Sequence, residues 1–322
     1  MERVKSIDVF RGLGIVLMVL FTLMMALSPG TAFFRHNQPG EAHPGDFVLP
    51  LFLFASGMSI VFYVEKRRSK TGVEFYLDTI ERFGMLFGLG MLLSIFSAGA
   101  LFDMDEVALS AILFLLTVLA LRLPDRLYLG ICAALAAVYY ALYKFGMTMA
   151  LFDGTHLGGY QAAIFYLPVM LAGASLGKGI LEGEEGKDRK MKLLLAVSLL
   201  SFVALSFVFP IDKMRVSPSF MALSVMVGTI VFAGVQILVE DMRIGFTVLE
   251  FLGRKPIRYW VMMFVFFAIP YEWCVMAGAC AYPLDYPMLP ALALSALFMV
   301  FLLGMSALID NVRMFLRKAG KS

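Results

Sequence analysis

Two histidines and an aspartate share one short stretch of this chain, FFRHNQPGEAHPGDFVLP at residues 33–50, as His36, His43 and Asp46. An imidazole titrates near pH 6.5, so a loop histidine close to a carboxylate suits general-base work around neutrality. Asp46 stands just ahead of an apolar run, where the positive end of a helix dipole favours a carboxylate, and it suits an N-cap role equally well. The spacing H-x6-H brings no convincing third ligand, so no metal site is expected. Glu272 is a second carboxylate of interest, because it interrupts an apolar run beside Pro270. The three cysteines, Cys132, Cys274 and Cys280, contain no CxxC pair. Cys274 and Cys280 are close enough to bond in an oxidising compartment, but two buried apolar thiols are the expected state.

The background to these groups is strongly apolar. The 322 residues are 61% hydrophobic and only 16% charged, with a mean hydropathy of +0.85. Soluble domains carry about 25% charged residues, and so few charges do not cover a water-facing surface. The expected fold is an all-α, polytopic integral membrane protein, a single transmembrane domain over residues 1–322. A crossing helix needs about 20 mostly apolar residues. Ten runs answer to this with help from their flanks: Leu13–Leu27, Phe47–Val64, Phe83–Phe102, Val107–Leu121, Leu127–Tyr143, Ala162–Gly177, Leu193–Phe209, Phe220–Val239, Tyr259–Tyr271 and Met288–Ile309. Pumps and ion-coupled transporters keep carboxylates near the midplane. Here Glu272, close to the outer end of the ninth run, is the one ionisable residue, which argues against that class. Gly84, Gly88 and Gly90 in the third run suit close helix packing and allow a homodimer.

Direction follows from charge. When the ten runs alternate, 23 of the 27 Lys and Arg fall on the side of both termini and four on the other. Basic residues stay cytoplasmic, so both termini are expected in the cytoplasm of a multi-pass plasma-membrane protein. All three histidines, including His156, then lie outside. The inner face carries +8 and the outer face −5. The first suits contact with the anionic lipid of the bilayer, the second an amine-bearing partner, and no nucleic acid is expected. The stretch EGEEGKDRKMK at 182–192 reads as a solvated cytoplasmic loop.

Two blocks carry a family resemblance. RVKSIDVFRGLGIVLMV (Arg3–Val19) is similar to the opening of the heparan-α-glucosaminide N-acetyltransferase catalytic family, a basic residue followed by S-[IV]-D-x-[FL]-R-G and an apolar span. DFVLPLFLFASGMSI (Asp46–Ile60) resembles that family's D-L-V-F-P-x-F-x-F-x-x-G-x-S-I. Family members place a histidine ten residues before that aspartate, and His36 is ten residues before Asp46. FLGRKPIRYWV (Phe251–Val261) is similar to a G-R-N-x-L-x-x-Y stretch of related membrane acyltransferases. Departures cluster on the acceptor side: Pro39 stands at a usual Trp, His43 at a usual Thr, and Thr22 at a usual Asn.

The resemblance implies transmembrane acyl transfer, with acetyl-CoA as co-substrate taken from the cytoplasm and an extracytoplasmic amino-sugar or glycan as acceptor. His36 is then the catalytic residue, either as general base or as a nucleophile forming an acyl-imidazole. Asp46 or Glu272 orients the imidazole, as the third member of a triad does. The cytoplasmic cations Arg11, Arg254, Lys255 and Arg258 are the natural CoA phosphate ligands, with Gly253 letting the backbone approach. Positive-inside anchoring explains the same four equally well. Asp8 and Gly12 of the first block are expected to be structural, Asp8 pairing with a nearby cation. A different class stays open on these residues: a non-catalytic carrier of a neutral or amine solute, which treats the histidines as incidental.

Overall fold

A computed structural model describes residues 4–28, 32–34, 40–98, 106–152, 157, 159–281, 284 and 286–319. Among them there is no strand, and the helices are α1 (Lys5–Leu27), α2 (Val48–Lys66), α3 (Gly72–Ala98), α4 (Glu106–Ala120), α5 (Arg126–Lys144), α6 (Met147–Phe152), α7 (Gly159–Ala162), α8 (Leu167–Glu182), α9 (Glu184–Ser206), α10 (Pro218–Gln236), α11 (Thr247–Gly253), α12 (Pro256–Met263), α13 (Ile269–Met276) and α14 (Met288–Ala319). Eight helical stretches are long and apolar enough to cross a bilayer. This is an all-α polytopic membrane protein.

Two of the ten expected spans fall outside those eight. The 15 residues of α4 rise only about 23 Å against a hydrocarbon core of about 30 Å. Helix α9 opens with EEGKDRKMK, which carries seven charges. That opening corrects the sequence reading: the expected loop at 182–192 is helical from Glu184, because Gly183 alone, at φ +97°, turns the chain between α8 and α9.

The chain packs as two compact units, one from Met1–Ile7 and His36–Ile244, the other from Asp8–Arg35 and Gly245–Ser322. In the first, α2 and α8 touch backbone to backbone. A Cβ at Gly57 would lie 2.0 Å from the Met170 carbonyl oxygen, one at Gly173 2.0 Å from that of Phe54, and one at Gly177 2.8 Å from that of Met58. Phe54 faces Gly173 and Met58 faces Gly177, so the two helices run parallel. Parallel neighbours need an odd number of crossings between them, and α3, α4 and α5 supply three. Gly90 packs against Ala108 of α4, whereas a Cβ at Gly84 or Gly88 would meet nothing within 4 Å. Within the chain, among the described residues, the expected packing role of the third-run glycines is seen at Gly90.

In the second unit, Gly12 of α1 meets the Leu249 carbonyl of α11, and Gly253 meets the Asp8 carbonyl, at distances of 1.9 and 1.7 Å from the Cβ each glycine lacks. At the far end of α1, the N–H groups of Leu284 and Tyr286 donate to the carbonyls of Ala26 and Leu27 at 2.9 and 2.8 Å, satisfying groups that a helix C-terminus leaves open. Pro270 does not end the ninth run. A π-helical stretch, Phe264–Ala268, joins α12 to α13 and absorbs the missing proline N–H. Beyond α13 the expectation of two free thiols fails: Cys274 and Cys280 are disulfide-bonded, with Cα atoms 5.2 Å apart. Six residues of separation let the chain turn back through Gly278 at φ +69°. Cys132 is the one free cysteine among the described residues.

At the other end of the first unit, Asp125 ties three helices together. It precedes α5 and takes Lys178 of α8 at 2.7 Å and Lys190 of α9 by a second oxygen. Burial raises its pKa, but the two lysine hydrogen bonds outweigh that, so the carboxyl titrates below the ordinary range. A depressed carboxylate contributes stability above its unfolded value, near 3.9, and loses it as pH falls through the folded value. Asp125→Asn is therefore expected to melt below the wild type in detergent at pH 7, with the gap closing below about pH 4. A constant gap across that range would assign the effect to something other than ionisation.

Candidate active site

The apolar helix α2 is introduced by a 3-10 turn, Pro44–Phe47, whose proline takes a first position that needs no N–H donor. His43 precedes it in extended conformation and donates its backbone N–H to Asp46 Oδ2 at 2.8 Å. Asp46 is thus the third residue of the turn, reaching back to its start as in a capping box, and not the N-cap itself. The His43 ring lies 3.3 Å from the exposed carboxylate of Glu41. His36 and His156 lie outside the described residues.

Asp46 is completely buried, and its other oxygen faces Lys213 Nζ at 3.5 Å. The lysine comes from the segment between α9 and α10, PIDKMRVSP, which a dense set of bonds holds in place. Gly40 N–H donates to the Ile211 carbonyl at 2.8 Å, so this segment also holds the end of the first loop. Ser217 Oγ caps α10 by accepting from Phe220 N–H at 3.3 Å, and accepts from Asp212 N–H at 3.0 Å. Arg215 N–H donates to Asp212 Oδ1 at 3.0 Å, and Tyr139 Oη donates to the Arg215 carbonyl at 3.0 Å. Val216 sits fully buried at φ +54°, a strained setting for a β-branched residue that only a well-determined surrounding maintains.

Burial pushes the Lys213 ammonium below its usual pKa, and the carboxylates of Asp46 and Glu106 oppose that push. Glu106, the first residue of α4, is also within electrostatic range of the Tyr166 phenol, as is Asp212. Tyr166 is fully buried, and its hydroxyl has no hydrogen-bond partner among the described residues. One end of this unit therefore gathers Asp46, Glu106, Tyr166, Asp212 and Lys213. A set of buried and half-buried titratable groups of both signs is the electrostatic signature of a functional site. Of these, Asp46 alone stands out in the motifs. The signal for Lys213 was present, since it is one of only four Lys and Arg on the side otherwise stripped of them.

The residues expected to hold CoA belong to the second unit. Asp8 is buried and pairs with Arg11, one turn on, as expected. Arg254 pairs with Glu250. Lys255 and Arg258 share Asp310 of α14 at 2.6 and 2.9 Å, and Arg258 also donates to Ser306. The two glycine contacts above bring α11 against the SIDVFRG turn of α1. This is a close-packed cluster in which four cations face three carboxylates. Glu272, on α13, also belongs to this unit, whereas Asp46 belongs to the first.

Residues 3–209 match the catalytic family of heparan-alpha-glucosaminide N-acetyltransferase. The chain belongs to this acetyltransferase family. No curated protein matches it. The family match takes in both motif blocks, the Asp46 turn and helices α1 to α9. It ends just before the segment that carries Lys213, so that half of the buried pair is seen only in the fold.

Two outcomes are expected in thermal unfolding of the purified protein. Lys213→Met removes the buried cation that faces the Asp46 carboxylate and should cost about 3–5 kcal/mol, whereas Asp46→Asn/Lys213→Met, which removes both charges, should recover most of it. Gly253→Ala forces a methyl onto the Asp8 carbonyl and should cost about 1–3 kcal/mol or more. Gly84→Ala, which meets open space, should be neutral or stabilising by up to about 1 kcal/mol.

Proposed function

We propose that this acetyltransferase takes acetyl-CoA from the cytoplasm and delivers the acetyl group to an amine, or a hydroxyl, of a sugar-containing acceptor outside the plasma membrane, with His36 as the catalytic residue. The observation that carries the proposal is the family match across both motif blocks, within which His36 and Asp46 keep the family's ten-residue spacing. Three features of the fold favour the stated direction. The end of the first unit holding Asp46 is the one the charge count places outside. The disulfide of Cys274 and Cys280 suits an oxidising compartment, where the same count puts the loop after α13. Arg11 and Arg254 belong to the inner, basic side, where cations are the natural phosphate ligands.

In the transfer, the acceptor nitrogen or oxygen forms a bond to the thioester carbonyl carbon as the carbon–sulfur bond breaks, and CoA departs as the thiol. The acceptor must lose one proton. His36 takes it as a general base and returns it to the departing CoA sulfur, or first accepts the acetyl group itself and passes it on as acyl-imidazole. Asp46, which accepts the His43 N–H and faces Lys213, fixes the end of the loop that carries His36, and Asp46 or Glu272 orients the imidazole. Lys213 sets the charge of that neighbourhood. The cluster of Arg11, Arg254, Lys255 and Arg258 binds the CoA phosphates by sharing cations that Asp8, Glu250 and Asp310 now hold. Residues 1–322 act together as one catalytic domain.

Protein reconstituted in liposomes with labelled acetyl-CoA, with and without glucosamine, tests this. His36→Ala should lower acceptor-dependent CoA release by about 100- to 10,000-fold, the contribution expected of a general acid–base residue. Label retained on wild type but not on the variant would select the acyl-imidazole route. Equal background release from both proteins across several acyl-CoAs and acceptors would overturn the assignment.

A further inference from the structure

Helices α5, α8, α9 and α10, all within the first unit, enclose an apolar groove of about 740 Å³. Leu129, Ala136, Leu171, Leu194, Ala204 and Val225 line its length. Apart from Tyr128 and the charged residues at one end, its polar side chains are serines such as Ser198, whose hydroxyl already donates to the Leu195 carbonyl of its own helix. Water needs two to four polar partners to occupy a cavity, and these walls do not supply them. A chain bearing amides, such as pantetheine, would bury amides without partners. The walls suit hydrocarbon.

The two ends of the groove differ. One is closed by Val216 and Pro218; the other carries Asp125, Arg126 and Lys190. There Lys178 and Lys190 share the single carboxylate of Asp125, and Arg126 is exposed with no carboxylate in ion-pair range among the described residues. Three cations against one anion leave a positive mouth. Between Lys190 and Leu205, α9 rises about 22 Å, longer than the roughly 15 Å hydrocarbon depth of one leaflet. The lips are greasy: Leu129 is 57% exposed and Leu193 53%. Access is therefore sideways from the bilayer, and the basic mouth lies on the side the charge count makes cytoplasmic, where anionic lipid concentrates.

We propose that this groove holds one acyl chain of an anionic phospholipid, with the lipid phosphate at Arg126 and Lys190. It is a site separate from the acetyl-transfer reading and does not depend on it. Cys132 lines the groove and reports its occupancy. In full-length protein in mixed micelles, phosphatidylglycerol should slow alkylation of Cys132 by an uncharged maleimide about tenfold, and phosphatidylcholine at the same concentration should not. Arg126→Gln breaks no ion pair and should fold normally; it should bring the two lipids together. Ala204→Trp, which fills the groove, should slow alkylation with no lipid added and remove the dependence on phosphatidylglycerol. Equal protection by the two lipids, or none by either, overturns the proposal. So does protection by a long-chain acyl-CoA at lower concentration than phosphatidylglycerol, which would make the groove a donor site.

Discussion

Glycine at 57, 173 and 177 brings the backbones of α2 and α8 so close that a single methyl at any of the three would meet a carbonyl oxygen. In lipid there is no hydrophobic gain from pairing two helices, because the tails are as apolar as leucine; association rests on close van der Waals contact and hydrogen bonds. The parallel α2–α8 pair is where the first unit obtains that contact, and both of its polar ends hang from it. At one end α2 is introduced by the Asp46 turn and α8 is preceded by Tyr166. At the other, Lys178 leaves α8 to meet Asp125.

The same unit shows two ways of keeping charge in an apolar protein. Asp125, near one end, is partly open and shared between two lysines, so it stays ionised at modest expense. Asp46 is shut away completely and faces Lys213, itself buried. A pair of that second kind adds little net stability and is severe to break, which is a reason to expect it where chemistry and not cohesion is at stake. In the second unit Arg254, Lys255 and Arg258 follow the first manner, resting on the partly open carboxylates of Glu250 and Asp310, whereas Arg11 pairs with the buried Asp8. A phosphate arriving there exchanges partners and does not meet bare charge.

Much of this was legible from residue types. Hydropathy marks the apolar stretches because a bilayer forces every crossing segment to be apolar over its length. The two segments that simple length and hydropathy pass over, α4 and α9, are helical at the expected places. The parallel course of α2 and α8 is matched by three intervening helices, α3, α4 and α5. Helix α9 begins beside the end of α8 and leads to Lys213 at the start of α2, so it covers the height of the unit. The Asp46 block and the Asp8–Arg11 pair were likewise readable, since their partners lie within one turn. Lys213 was not, because nothing local to PIDKMRVSP says that its ammonium will meet a carboxylate far back in the chain. The disulfide was misjudged for a related reason: composition cannot distinguish a buried thiol from one carried on an exposed turn. Gly84 and Gly88 looked like packing residues on spacing alone, and only the neighbouring helix decides that.

Distance along the chain gives the Asp46–Lys213 contact a meaning in time. The two residues are about 170 positions apart, and at a synthesis rate of roughly 5–20 residues per second the lysine is made about 8–35 s after the aspartate. Until then the turn that opens α2 has a carboxylate without its cation, and the loop leading into it lacks the strap from Gly40 to Ile211. The first loop to leave the ribosome is therefore among the last parts of the unit to settle. Through that interval the opening of α2 keeps its carboxylate in water, and the burial of Asp46 waits on the arrival of Lys213.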